Sequence, residues 1–280
     1  MAELSPRGER LRRELLRLRN LTDLSGRRLA VAMGVDRGKV WRVEQGHQLP
    51  PVPIVVAWLD ACGVEDPDRQ RVLDLAEAAH GETRSWGDLL AGVTHLQGVA
   101  RQREADTATV RNFQPTVVPG LLQTPEYAAR VIPLADHTDS VDHGAALAAR
   151  LQRQQVLYED GHRFQFLMVE TALRWSVNQG DVTPSQLDRI ASLSKLGTVE
   201  VAIVPAGGDV VVPWHNFVIW EPTDDDAYVT TELFHGEQRL TSVDEVKLYR
   251  GLWDRMWSAA FTGDDARRVF ERVAQEYREG

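Results

Sequence analysis

The sequence predicts an all-α head of five short helices, followed by an α/β domain in which helices pack on a mixed sheet. Three observations carry that expectation. A pair of helices punctuated by glycine occupies Leu24–Gly46. The charge is divided: residues 1–50 hold eleven Lys and Arg against six Asp and Glu, whereas the rest hold 21 against 35, within a net charge of −9. Past residue 160 the apolar pattern changes from helical spacing to strand, helix, strand.

At 280 residues the chain is long enough for two hydrophobic cores. The expected division is a helical head over residues 1–79, a linker with a bridging helix over 80–110, and an α/β domain over 111–280. The break falls at Gly81-Glu82-Thr83-Arg84-Ser85.

In the head, Pro6–Asn20 forms a helix with Leu11, Leu15 and Leu18 on one face and Pro6 at its start. Ser25 caps a second helix that turns Leu29, Ala30 and Met33 inward, and Gly34 supplies the turn because that position needs positive φ. Asp36 caps a third helix, Arg37–Gln45, which Gly46 stops. Val40 and Val43 give it a narrow apolar face. Leu49-Pro50-Pro51-Val52-Pro53 leads into a fourth helix near Ile54–Cys62, and a fifth follows over Asp66–Ala79.

Two short helices joined by a glycine turn, the second bearing cations, form the helix-turn-helix pattern, in which the second helix enters the DNA major groove N-terminal end first. Arg37, Lys39, Trp41 and Arg42 are its candidate base-contacting residues: Arg and Lys donate to guanine O6 and N7, and Trp41 packs on a thymine methyl or the sugar-phosphate edge. Phosphate contacts are expected from Gly26, Arg28, His47 and Gln48.

Residues 1–79 resemble the five-helix repressor domain of the lambda-repressor/Cro-like (XRE) family. The resemblance rests on Leu29-Ala30, Gly34-Val35, Val40, Val43-Glu44, Gly46 and Pro50. It implies sequence-specific binding to double-stranded DNA as a homodimer, with Arg19 and Glu44 forming a partly buried ion pair between the first and third helices. Two positions depart from the family. Gly26 stands where a phosphate-bracing Gln is usual, and Gly38 where a second base-reading side chain is frequent.

In the rest of the chain, Leu96–Val110 reads as an amphipathic helix, Gly144–Glu159 as another, and Phe164–Val169, Pro184–Leu196 and Val199–Val204 as a strand–helix–strand unit with a parallel pair. Phe217–Trp220 and Tyr228–Phe234 read as antiparallel strands around the acidic turn Glu221–Asp226, and Val243–Ala259 and Asp264–Tyr277 as closing helices. The string PGLLQTPEYA at Pro119–Ala128 is similar to the opening of a domain of unknown function that follows XRE heads in actinobacterial regulators, the WhiJ-like, antitoxin-like family. Arg150-Leu151-Gln152-Arg153-Gln154, Glu170-Thr171-Ala172-Leu173-Arg174, Gln186-Leu187 and Phe217 extend the resemblance. It implies a control module, often encoded beside a small partner protein.

No nucleotide-binding glycine loop, nucleophile elbow or HExxH motif is present, so catalytic residues and a cofactor are not expected and the protein is read as a non-enzyme. The eight histidines lack ligand spacing and there is one cysteine, Cys62, in an apolar run, so no metal site is expected. Trp175, Trp214, His215, Trp220, Tyr228 and Glu232, with Glu170 nearby, fall at or near strand ends and form a candidate ligand or partner pocket, with core packing as the competing reading. With no signal peptide and no long apolar run, a cytoplasmic location without membrane contact is expected. Two functions compete: a transcription regulator whose second domain senses a ligand or small protein, and an antitoxin-like protein that chiefly neutralises a small partner encoded nearby.

Overall fold

The computed structural model describes residues 4, 6–80, 83–85, 96–136, 141–174, 182–207, 210, 214–223 and 227–279. The chain divides into two compact units, residues 1–84 with 238–245, and residues 85–237 with 246–280.

The first unit holds five helices: α1 Pro6–Asn20, α2 Gly26–Met33, α3 Arg37–Glu44, α4 Val52–Ala61 and α5 Asp68–His80. Leu11 and Leu15 of α1, Leu29 of α2, Val40 and Val43 of α3, Trp58 and Leu59 of α4, and Val72 and Ala76 of α5 close into one core. Trp58 is the largest side chain in it. Its indole N–H donates to the Leu15 carbonyl at 3.2 Å, so burial leaves no polar atom stranded. The fifth helix begins at Asp68, two residues later than Asp66.

The second unit opens with α6, Leu96–Ala105, and here the structure corrects the expected helix over Leu96–Val110. The helix stops at Ala105 and strand β2 runs over Thr107–Gln114. Thr107 ends it: its hydroxyl donates to the Arg103 carbonyl at 2.6 Å, and the β-branched residues Thr107, Thr109 and Val110 favour extended backbone. Thus four residues assigned to a linker helix lie in the sheet. After β2 come α7 Pro125–Ala135 and α8 His143–Arg153; α8 gives way to a 3₁₀ segment over Gln154–Tyr158, where one helix was expected through Glu159. Strand β3 Arg163–Val169, the short α9 Glu170–Arg174, α10 Val182–Leu193 and β4 Val199–Val204 follow. Then come β5 Phe217–Pro222, β6 Tyr228–Leu233, β7 Gly236–Leu240, α11 Val243–Ser258, β8 Phe261–Thr262 and α12 Gly263–Glu279; β1, Thr83–Ser85, precedes α6, and most of β1 and β7 belongs to the first unit.

Six strands lie in the order β6-β5-β2-β3-β4-β8. The pairs β2/β3 and β3/β4 are parallel, with Phe113 opposite Leu167 and Phe166 opposite Val201, while β5 runs antiparallel to both β2 and β6. The sheet is therefore mixed, and α10 crosses between β3 and β4 as the strand–helix–strand reading requires. Residue alternation gives it two apolar faces. On one, Val110, Phe164, Phe166, Met168, Val201 and Trp220 pack under Tyr127 of α7, Ile190 of α10 and Phe270 of α12. On the other, Phe113 meets Phe217, and Phe217 meets Tyr249 and Trp253 of α11, with ring centroids 4.9–6.5 Å apart. Helices on both faces of a mixed sheet make the expected α/β domain.

Candidate nucleic-acid interface

The geometry of α2 and α3 follows from their caps. Ser25 Oγ accepts the Arg28 amide at 3.3 Å to start α2, and Gly34 ends it at φ 67°, passing its neighbour's amide (Val35 N) back to the Ala30 carbonyl at 3.0 Å. Asp36 then starts α3, its Oδ1 accepting the Gly38 amide at 2.7 Å. With Val40 and Val43 buried, the helix presents Arg37 and Trp41 to solvent and leaves Lys39 and Arg42 half-buried. Trp41 is 53% exposed, its ring 5.2 Å from that of His47. An aromatic this open contributes little to the core, so its area is on offer to a partner.

From behind, α3 is braced by α1. The Arg19 guanidinium pairs with the Glu44 carboxylate, the two side chains being 20% and 13% exposed. Arg12 adds a second tie: Nη1 donates to the Glu44 carbonyl at 2.8 Å while Nε is held by Glu9 at 2.8 Å. Two guanidinium groups thus meet the negative end of the α3 dipole. Gly46, at φ 75°, lets the chain leave the helix beside Arg12.

Both departures from the repressor pattern have local causes. A Cβ on Gly26 would stand 3.6 Å from Arg19 Nη1 and from Glu44 Oε2, so Gly26 lies directly over the ion pair. A Cβ on Gly38 would fall 2.7 Å from Asp36 Oδ1 and 3.4 Å from Arg42 Nη1. Glycine there leaves room for the cap and for Arg42, which folds back over the first turn of α3. Of the expected phosphate contacts, Arg28 is exposed and His47 half-buried, but Gln48 is buried, only 8% exposed. The more accessible side chain of that loop is therefore that of His47.

The aromatic constellation does not form a single pocket. Trp220 and Tyr228 stack at 6.1 Å inside the core, where Trp220 Nε1 donates to Thr230 Oγ1 at 2.9 Å. His215 lies on the opposite face of β5, 2.9 Å from Tyr249 Oη, and Trp214 is 85% exposed. Glu232 accepts from Asn216 at 2.9 Å, and burial pushes its carboxyl up while Arg153 and Arg150 oppose the shift. Alternation puts His215 on the face away from Trp220, whereas Tyr228, Thr230 and Glu232 share Trp220's face. Trp175 lies outside the described residues. Glu170 is engaged by Arg174 and Arg272, each at 3.0 Å. Among the described residues no group of three or more His, Cys, Asp and Glu is placed to hold a metal, and no helix is long and apolar enough to cross a membrane.

Comparison with known families matches residues 10–72 to a helix-turn-helix domain and residues 98–272, more than half of the chain, to a domain of unknown function. The chain belongs to the DUF5753 family. The helix-turn-helix match covers most of α1, all of α2, α3 and α4 and the start of α5, and it contains Arg12, Arg19 and Glu44. Curated proteins give no match.

The DUF5753 domain carries a polar cluster that sequence reasoning missed. Its centre is the turn Gly120–Gln123, whose groups are satisfied by glutamines: Gln123 Nε2 donates to the Val118 carbonyl, Gln154 Nε2 to the Gln123 carbonyl and Gln186 Nε2 to the Leu122 carbonyl, all at 2.7–2.8 Å. Arg150 Nη1 donates to Gln123 Oε1 at 2.6 Å, and Arg153 Nη1 to Gln97 Oε1 at 2.7 Å. Glu104, buried, stands 3.1 Å from Arg153 Nε. Burial pushes its carboxyl up to about 7, with Arg153 pulling it back. Burial, with Arg153 adding repulsion, lowers Arg150 to about 10. Arg103, by contrast, is fully matched, with Nη1 and Nη2 on the two Glu237 oxygens at 2.7 and 2.8 Å and its guanidinium 5.9 Å from the Trp220 ring centroid. The only signal in the sequence was the motif strings themselves, which name the residues without their chemistry.

Proposed function

We propose that the chain is a sequence-specific, DNA-binding transcription regulator of the XRE type, dimeric on its operator and cytoplasmic, in which the DUF5753 domain senses a ligand or a small protein and performs no catalysis. The observation that carries the reading is α3: a capped helix within a helix-turn-helix domain, fixed from behind by Arg12 and Arg19, that turns Arg37 and Trp41 outward. Arg37, Lys39, Trp41 and Arg42 read base edges in the major groove, while Arg28, His47 and the amide of Gly26 hold phosphates. Residues 1–50 supply the positive field that draws the head to the duplex. The test is a mobility shift of the full chain on its own promoter region, with scrambled duplex as competitor. Retention of the complex supports the reading, and loss of it to the scrambled duplex at equal concentration rejects it.

The second reading, an antitoxin-like protein of the WhiJ type, is favoured by one observation: residues 51–280 hold 35 Asp and Glu against 21 Lys and Arg, a surface suited to a basic partner. A neighbouring small open reading frame whose product is toxic alone and harmless with this chain supports it; a harmless product removes it.

A further inference from the structure

We propose that Arg150 and Arg153, set against Gly120 and Gln123, bind the oxyanion group, phosphate or carboxylate, of a small ligand. The inference rests on the reading of the DUF5753 domain as a sensing module and names what that module takes.

Three observations carry it. First, the two arginines end α8 three residues apart, and both guanidinium groups converge on Gly120. A Cβ there would meet Arg153 Nη2 at 3.1 Å and Arg150 Nε at 3.6 Å. Gly120 does not have positive φ, so its backbone does not demand glycine; the space between the guanidinium groups does.

Second, the two guanidinium groups are only partly matched: Arg153 has Glu104 as a counter-charge without a hydrogen bond to it, and neither arginine forms a bidentate carboxylate pair among the described residues. Each donates to a neutral amide oxygen, of Gln123 or Gln97, and among the described residues neither hydrogen-bonds to a carboxylate. The Nε atoms of both are buried without a hydrogen-bond partner. Glu104 Oε2, although 3.1 Å from Arg153 Nε, is out of line for a hydrogen bond and is itself unsatisfied. The bidentate Arg103–Glu237 pair shows what a closed arginine looks like in the same unit. An oxyanion is the ligand that two such forks accept.

Third, the charges are poised for exchange. The groups around the pair are Glu104 on α6, Glu232 on β6 and the closed Arg103–Glu237 pair. An anion on Arg153 displaces Glu104 as its counter-charge, and Glu104, with its carboxyl near 7, takes up a proton as it does so. Binding is accordingly tighter below neutral pH.

The experiment is isothermal titration of the full chain with sulfate and, separately, with acetate, at about pH 6 and about pH 8, where both probes keep their charge. Saturable binding of sulfate identifies a phosphate-type ligand, and binding of acetate a carboxylate. The expected result is affinity at least about tenfold weaker at the higher pH, a difference that Glu104→Gln removes. Gly120→Ala is expected to weaken binding at least about tenfold with the thermal midpoint retained. No saturable heat with either probe overturns the proposal. So does binding that persists in a folded Arg150→Gln/Arg153→Gln double variant, because the anion then sits elsewhere. A mobility shift on the promoter separates the two readings. Specific DNA binding without anion binding rejects the anion site alone, whereas anion binding without specific DNA binding rejects the regulator and leaves the site standing.

Discussion

Arg19, at the end of α1, pairs with Glu44, at the end of α3, 25 residues away along the chain. The pair is four-fifths or more buried on both sides, and it fixes the roll of the helix that presents Trp41 and Arg37. Glu44→Ala leaves Arg19 without its anion and is expected to lower stability by about 1–3 kcal/mol, between the values for exposed and fully buried pairs. Denaturant unfolding of Arg19→Ala, Glu44→Ala and the double variant measures the coupling; additive losses would show that the pair holds nothing.

Gly38 and Asp36 form a second coupled pair. Asp36→Ala is expected to cost about 1 kcal/mol through the lost cap. Gly38→Ala has two opposed effects, since alanine favours the helix by about 1 kcal/mol but its Cβ lands on Asp36 Oδ1. In the Asp36→Ala background that clash is gone. There Gly38→Ala is expected to stabilise, and a melting-temperature cycle that shows equal effects in both backgrounds contradicts the geometry.

Acid should loosen the head in a defined window. Hydrogen bonding from Arg17, with Arg71 adding to it, holds the Glu14 carboxyl at about 2, against an ordinary value of 4.5, and Arg12 lowers Glu9 in the same direction. A folded-state value below the unfolded one means the contribution is present above about pH 4.5 and lost as pH falls toward about 2. Because Arg17 and Arg71 are half exposed, the effect of each pair is below about 1 kcal/mol. Glu14→Gln is expected to flatten the fall in thermal midpoint across that window, and an unchanged slope would remove Glu14 from the account.

Base and phosphate contacts differ in their signatures. Arg42→Ala is expected to weaken binding to the specific duplex by about 1–3 kcal/mol and to leave scrambled DNA little changed. Arg28→Ala should weaken both alike and reduce the salt slope by about 1. Competition titrations of the two variants at several salt concentrations distinguish them, and exchanged signatures would reverse the assignment.

The head was legible because its determinants are local. Ser25, Gly34, Asp36 and Gly46 each act within a few residues, and the apolar spacing of α1, α3 and α4 survives in the core. The Leu96–Val110 segment was not, because helix and strand meet at Asp106 with neither Gly nor Pro between them, and only the distant partners Arg163–Met168 and Phe217–Pro222 pull Thr107–Gln114 into a sheet. The same long-range pairing decided the aromatics. Trp220 and His215 are close in sequence but fall on opposite faces once β5 is aligned, and no periodicity in one strand says which face is the pocket. Arg150, Arg153 and Gly120 were visible as motif letters. Their convergence depends on α8 returning to the turn before α7, a tertiary event with no sequence marker.

The central claim is that α3 reads sequence. The most direct measurement is the affinity of the full chain for its own promoter duplex and for a scrambled duplex of the same length and composition, by fluorescence anisotropy at fixed salt. The account predicts that the promoter is preferred by about 10³-fold or more, with Arg42→Ala lowering that preference by about 5- to 150-fold. Equal affinity for the two duplexes, falling in parallel as salt rises, would contradict it and reduce the basic head to a non-specific phosphate binder.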